Sequence, residues 1–322
     1  MRWPRSLALL LSALPAANAC AQSYPVKTVT LVVPLAAGGT ADVMARLIAE
    51  KMGSAIGQQV IVDPRPGASG QIGVAAVVRA PPDGHTIMLT STGPVAINPG
   101  LYGAKLPFDP VKDLAPITQA AKGPLVLLVH PSLPARNLKE LVALAKAKPG
   151  ELMYASAGSA SITNLDVALL ASTAGINLMH VPYKGAPQAV ISVVSGETQL
   201  MINGLIPSLP LARAGKVRML GLTSLERNPA APDVPTIAEG GVRGYEADQW
   251  FGMFAPAATR KDVVAQLHAA SVKALRSPDV VTWLTQQGVA PVGNTPEQFG
   301  AFVKAEIAKW TQVIQASGAK PD

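Results

Sequence analysis

One arrangement constrains this chain more than any other, because the chain contains it twice: an apolar strand, a loop of small residues, then a helix. The first copy, "VTLVVPLAAGGTADVMARLIAE", starts at Val29, and the second, "LMYASAGSASITNL", starts at Leu152. A glycine breaks each helix, Gly57 in one and Gly175 in the other, and a further apolar strand follows, "VIVDP" or "LMHVP". Short buried strands that alternate with helices predict an α/β fold with parallel sheets. A repeated unit in a chain of 322 residues predicts two such domains joined by short hinge strands.

The alternation continues along the chain. Strands are expected at 29–33, 60–62, 86–89, 125–129, 152–155, 178–181, 199–202 and 218–223. Helices are expected at 41–52, 70–79, 138–147, 163–174, 187–195, 209–214, 262–275, 278–287 and 296–316. Hydrophobic residues make up 49% and charged residues 15%, enough apolar surface for a sizeable core.

Arg2 and Arg5 flank the short apolar run Leu7 to Leu14, and "PAANACAQ" follows, which reads as a secretory signal peptide over residues 1–21. The run falls short of the roughly 18 apolar residues a membrane span needs. Ordinary cleavage before Gln22 gives soluble export; lipidation of Cys20 is the competing outcome, against a poor lipobox. Cys20 is the only cysteine, so the cleaved chain has neither a disulfide nor a thiol. Cleavage leaves 25 basic and 20 acidic residues, about +5, with the basic ones dispersed and not interleaved with aromatics. That gives little support to nucleic-acid binding and favours small anions.

The two loops carry the functional argument. A helix start leaves backbone N–H groups unpaired and bears partial positive charge, and in a parallel sheet it sits at the strands' carboxyl ends, where ligands bind. Ala36, Ala37, Gly38 and Gly39 let a ligand approach the backbone, and Thr40 can cap the helix or donate its hydroxyl. The second loop offers Ser156, Gly158, Ser159, Ala160 and Ser161, followed by Thr163 and Asn164. Neither has a P-loop lysine, and Asp42 would repel a polyphosphate, so a carboxylate fits better than a nucleotide. The competing reading is a tight turn with ordinary capping.

Other motifs are weaker. "RPGASGQIG" spaces its glycines as GxxGxxG, not as a dinucleotide fingerprint, and predicts close packing of a helix on the sheet. Tyr183 and Lys184 follow a strand and either face a ligand or belong to core and solvent respectively. Asn203 ends a strand at the same edge. A serine hydrolase at Ser159 or Ser161 lacks the closing glycine of its elbow. No two of His85, His130, His180 and His268 have metal-ligand spacing, and neither a metal nor a cofactor is expected.

Taken together, "YPVKTVTLVVPLAAGGTADVMARLIAEKM", "GQQVIVDPRPGASGQIG", "APPDGHTIML", "SAGSASITNL", "HVPYKGAPQAV", "VPTIAEGG" and "WFGMFAPAAT" resemble the periplasmic substrate-binding receptors of tripartite tricarboxylate transporters, the Bug family. The resemblance covers nearly the whole chain after Tyr24. It implies a two-domain, Venus-flytrap fold of the type II periplasmic-binding class, without enzymatic activity. A small carboxylate would be trapped between the domains, 22–124 plus 255–322 and 125–254, with crossings near Leu125–Val129 and Trp250–Phe254. By the same resemblance the loop from Ala36 to Thr40 meets one end of the ligand and that from Ser156 to Ser161 the other, with Ser91, Thr92, Tyr183 and Asn203 as further wall. The expected partners are membrane permease subunits, or alternatively a sensor kinase, and the receptor itself is expected as a monomer. The chain departs from the family at Leu35, where phenylalanine is usual, and at Ser159-Ala160-Ser161 and Asn164, where Asn-Gly-Ser and a histidine are usual. Those positions bear on which acid is bound.

Overall fold

The computed structural model describes residues 24–159 and 161–321. The expected signal segment and Ala160 lie outside them. β1 (Val29–Val33) is β-branched at four of five positions and buried along most of its length, as a central strand should be. α1 (Thr40–Ile56) turns Met44, Ile48 and Met52 onto the sheet and stops at Gly57, whose φ of 69° is the left-handed C-cap that glycine adopts without strain. β2 (Val60–Pro64), α2 (Gln71–Val78) and β3 (Thr86–Ser91) complete the first unit.

The chain then forms β4 (Leu114–Gly123) and β5 (Leu125–Val129), followed by α3 (Leu138–Ala147). The second copy is β6 (Met153–Ser156), α4 (Ile162–Ala174), β7 (Met179–Pro182), α5 (Ala186–Ser195) and β8 (Leu200–Gly204). Gly175, φ 61°, ends α4 as Gly57 ends α1. After α6 (Leu205–Arg213), β9 (Arg218–Leu222) and β10 (Gln249–Pro256) come α7 (Lys261–Leu275), α8 (Pro278–Gln286), the short β11 (Ala290–Pro291) and α9 (Pro296–Ser317).

Two sheets result, ordered β11-β4-β10-β3-β1-β2 and β7-β6-β8-β5-β9. From the β2 and β7 edges they share one plan. A parallel trio (β2-β1-β3, β7-β6-β8) is followed by two strands in antiparallel pairing (β10-β4, β5-β9). The sequence repeat is therefore a topological repeat. The sheets are mixed rather than parallel, because β10 and β5 enter from the other unit and no crossover helix dictates their direction.

The first crossing between sheets passes through Pro124, between β4 and β5, and β5 lies wholly in the second sheet. β10 lies wholly in the first sheet, so the chain returns to that sheet before Gln249. β4 was not expected: its Pro116, Thr118 and Gln119 interrupt any apolar pattern. Thr118 and Gln119 are buried, and Asn294 accepts from Thr118 Oγ1 at 2.8 Å and from Gln119 N at 2.9 Å, while Gln119 Nε2 has no partner among the described residues. One apolar cluster continues from Val32, Met88 and Phe254 in the first unit through α9 to Leu125, Leu165 and Leu170 in the second.

Candidate functional site

β1 and β6 occupy the same position in their sheets, and each hands its chain to a helix at its carboxyl end. After β1, Ala36 to Thr40 are exposed. Gly38 takes φ 78°, and its N–H donates to Asp42 Oδ2 at 3.0 Å. Arg46 Nε and Nη2 clamp the same carboxylate at 3.1 and 3.2 Å. The Gly38 N–H first, and then Arg46, hold Asp42 below the usual carboxylate range. Asp42, 3% exposed, thus braces the loop with its charge already paired. Gly39 is the N-cap of α1 and offers no side-chain cap, so the amides of the first turn depend on solvent or a ligand.

The loop after β6 is held from within. Ser161 Oγ accepts from Asn164 N at 3.3 Å, capping α4, and donates to Gly158 O. Thr163 Oγ1 accepts from Ala157 N at 2.9 Å. Asn164 lies beneath: its Nδ2 donates to Ser159 O at 2.7 Å, and its Oδ1 accepts from Tyr154 OH at 2.7 Å. Ser156 Oγ sits 2.6 Å from His180 Nε2, and the His180 ring stacks on Tyr154 at 4.9 Å. Ser156 is fully buried, so this serine–histidine contact offers no nucleophile to a substrate.

A cavity of about 270 Å³ opens between the units. Leu35, Ser69, Ser91, Thr92 and Pro94 line it from the first unit, and Ala157, Gly158, Ser161 and Ile162 from the second. Gln249, the first residue of β10, completes the wall, and no lining side chain is charged. A larger hollow of about 740 Å³ lies elsewhere, by Val111, Phe254 and His268, and neither loop contributes to it.

Of the residues expected in the site, Ser91, Thr92, Gly158 and Ser161 therefore meet at one cavity. Of the first loop only Leu35 lines it; Ala36 to Thr40 come next in sequence, are exposed, and are not among the lining residues. The Thr92 hydroxyl is engaged, accepting from Trp250 N at 3.1 Å, which ties β3 to the returning strand. Ser156 and Asn164 support the second loop from beneath. Asn203 is buried and donates to Ser208 Oγ at 3.3 Å, away from the cavity. Tyr183 packs with the apolar cluster of the second sheet.

Ser69 and Gln249 escaped the sequence reading. The GxxGxxG segment does pack closely, since a Cβ on Gly73 would stand 2.8 Å from Arg65 O and from Pro34. It also turns toward the cavity. Ala68 and Ser69 take φ 47° and 54°, a left-handed backbone costing side-chain-bearing residues about 1–2 kcal/mol each. Nothing in their residue types announces such a turn.

Comparison with known proteins gives the geometry a context. Residues 44–319 match the family model described as the tripartite tricarboxylate transporter family receptor. The chain is 35% identical to protein BugT of Bordetella pertussis over 306 residues, 95% of this chain and 94% of that one. An R. palustris protein solved with adipate superposes with a TM-score of 0.80 at 35% identity, covering 93% of this chain and all of the other. MatC from Rhodopseudomonas palustris, with bound malate, gives 0.76 at 34% identity, covering 90% of this chain and all of that one.

Proposed function

The chain belongs to the tripartite tricarboxylate transporter receptor family, and on that premise we propose that it captures a small organic acid in the cavity between its two sheets. The family is one of periplasmic solute receptors, not of enzymes. One observation carries the ligand class: one uncharged cavity between the two sheets is lined by Leu35, where the first small-residue loop begins, and by Gly158 and Ser161 of the second. Amides and hydroxyls can solvate a carboxylate there without a cation. The cavity of about 270 Å³ has room for a compact acid. Structural relatives solved with adipate and malate support the same class.

The two units act as lobes, residues 22–124 with 255–322 and residues 125–254, with β10 lent to the first sheet. Closure over the acid buries it, and permease subunits of a tripartite transporter recognise the closed form. The chain works as a monomer in the periplasm after loss of residues 1–21.

Native mass spectrometry of the purified protein, followed by calorimetry with malate, adipate and aspartate, tests this. One acid should bind at one site. Gly39→Leu should abolish binding with circular dichroism unchanged, because Gly39 has ordinary backbone angles, its Cβ would meet only Ala36 O at 3.3 Å, and the added bulk stands at the start of α1. Undiminished affinity in that variant, or binding of none of the acids, defeats the proposal.

A further inference from the structure

The larger hollow on the first unit differs from the interlobe cavity in both size and chemistry. It holds about 740 Å³ and is lined by α7, α9, the start of β4 and the end of β10. Pro116, Phe254, Val264 and Val303 give it apolar walls. Two lysines, Lys261 on α7 and Lys304 on α9, line it against one carboxylate, Glu297. Both lysines are exposed, and neither has a salt bridge among the described residues; Asp262 pairs with Arg260, and Glu306 with Lys309. His268, also in the wall, commits its Nε2 to Asn294 O at 3.1 Å. Thr259, in the turn before α7, lines the same hollow. It is 7% exposed, and its hydroxyl has no hydrogen-bond partner among the described residues. A buried hydroxyl left unpaired is destabilising, and a polar group entering the hollow would relieve it.

We propose that this hollow is a second ligand site, taking an amphipathic monocarboxylate with an aromatic or medium-chain aliphatic body. A mainly apolar cavity of several hundred Å³ with a few polar groups is the usual form of a small-molecule site. The walls take the body, Lys261 and Lys304 offset the charge of the head, and the Thr259 hydroxyl donates to it. Glu297 restricts the ligand to one anionic head. Its own backbone N–H and the Thr295 hydroxyl hold its carboxyl below the usual range, so it stays ionised and repels a second carboxylate. A compact acid, for its part, gains nothing from apolar walls. The two sites are separate: Gln249, at the start of β10, lines the interlobe cavity, and Phe254, near its end, lines the hollow. The proposal is independent of what the interlobe cavity binds.

Calorimetry on the whole protein tests this, with octanoate and 2-naphthoate set against octanol and 2-naphthylmethanol. At least one of the two carboxylates should bind at one site, about tenfold or more tighter than its neutral counterpart, and excess malate should not displace it. Ala265→Trp, at an exposed position of α7 that lines the hollow, should abolish that binding. Lys261→Met combined with Lys304→Met should weaken the carboxylate by about tenfold and leave the alcohol unchanged. Thr259→Val deletes the unpaired hydroxyl, so it should raise the melting temperature while weakening the carboxylate by about tenfold. A threonine with a purely structural role would not move stability and affinity in opposite directions. Binding that survives Ala265→Trp, equal affinity for acids and alcohols, or binding of neither acid overturns the second site, and each of these outcomes leaves the interlobe cavity's role as it was.

Discussion

Asp42 shows how a single residue shapes the candidate site. Its carboxylate takes the Gly38 N–H and the Arg46 guanidinium, so the glycine turn is tied to the helix it precedes. Asp42→Ala should release both. With charge-assisted hydrogen bonds lost, we expect about 2 kcal/mol less stability and a weaker complex, measured by urea unfolding and calorimetry. Asp42 is held low, so its contribution is present above the ordinary carboxylate range. It fades as the pH falls through the lowered folded value. The sequence marked this aspartate only as an obstacle to polyphosphates. Its bracing role needed the i,i+4 arginine and the left-handed Gly38 to be seen in space. The same limit hid Ser69: residue types reveal glycines that need positive φ, but not a serine forced into it. Ser69→Gly should therefore raise the melting temperature, and a fall would show that the turn is relaxed in solution.

Among the elements, α9 spans the most. Its start is written in "NTPEQF": Thr295 caps it, Gln298 returns the bond at 3.0 Å, and Pro296 sits in the first turn. Its middle is not readable in the same way. Glu306 looks like a surface residue of an amphipathic helix, yet it is 6% exposed and accepts from Trp250 Nε1 and Trp310 Nε1, both at 3.0 Å, while pairing with Lys309. Partners 56 residues away in sequence leave no local trace, just as Asn294 left none for β4. Strands with an uninterrupted apolar run, such as β1 and β5, were legible for the opposite reason. Where α9 crosses β10, Gly252 makes room for Phe299, and a Cβ there would stand 2.1 Å from the ring's Cζ. Gly252→Ala should cost about 3 kcal/mol by overpacking, read from the denaturant midpoint. A neutral result would mean that α9 can lift from the sheet freely.

For the molecule as a whole, the contact between the units carries an unusual load of buried acid. Asp166 on α4 is completely buried, and neither carboxyl oxygen has a hydrogen-bond partner among the described residues. Burial pushes its pKa well above the usual range, with Lys309 opposing and Asp248 and Glu306 adding to the rise. Its backbone carbonyl accepts from Tyr245 OH at 3.1 Å, which ties α4 to the segment leading back into the first sheet. Asp248, in that segment, is raised to about 6, again chiefly by burial, against the pull of Lys122 at 4.0 Å. Both groups hold protons more tightly folded than unfolded, so their stabilisation is complete below the unfolded carboxylate value. It is lost as pH rises toward the folded values, from about pH 4 to about pH 6 for Asp248. That rise corresponds to a ceiling of about 3 kcal/mol. The slope has the opposite sign to Asp42's, so the two act over separate ranges. Asp248→Asn should flatten the loss of stability between those pH values, and adding Asp166→Asn should leave the folded state more stable at pH 7 than the unaltered protein. Urea unfolding across that range is the measurement. A profile that keeps its slope in the double variant would mean that water reaches these carboxyls, and that the two units separate there in solution.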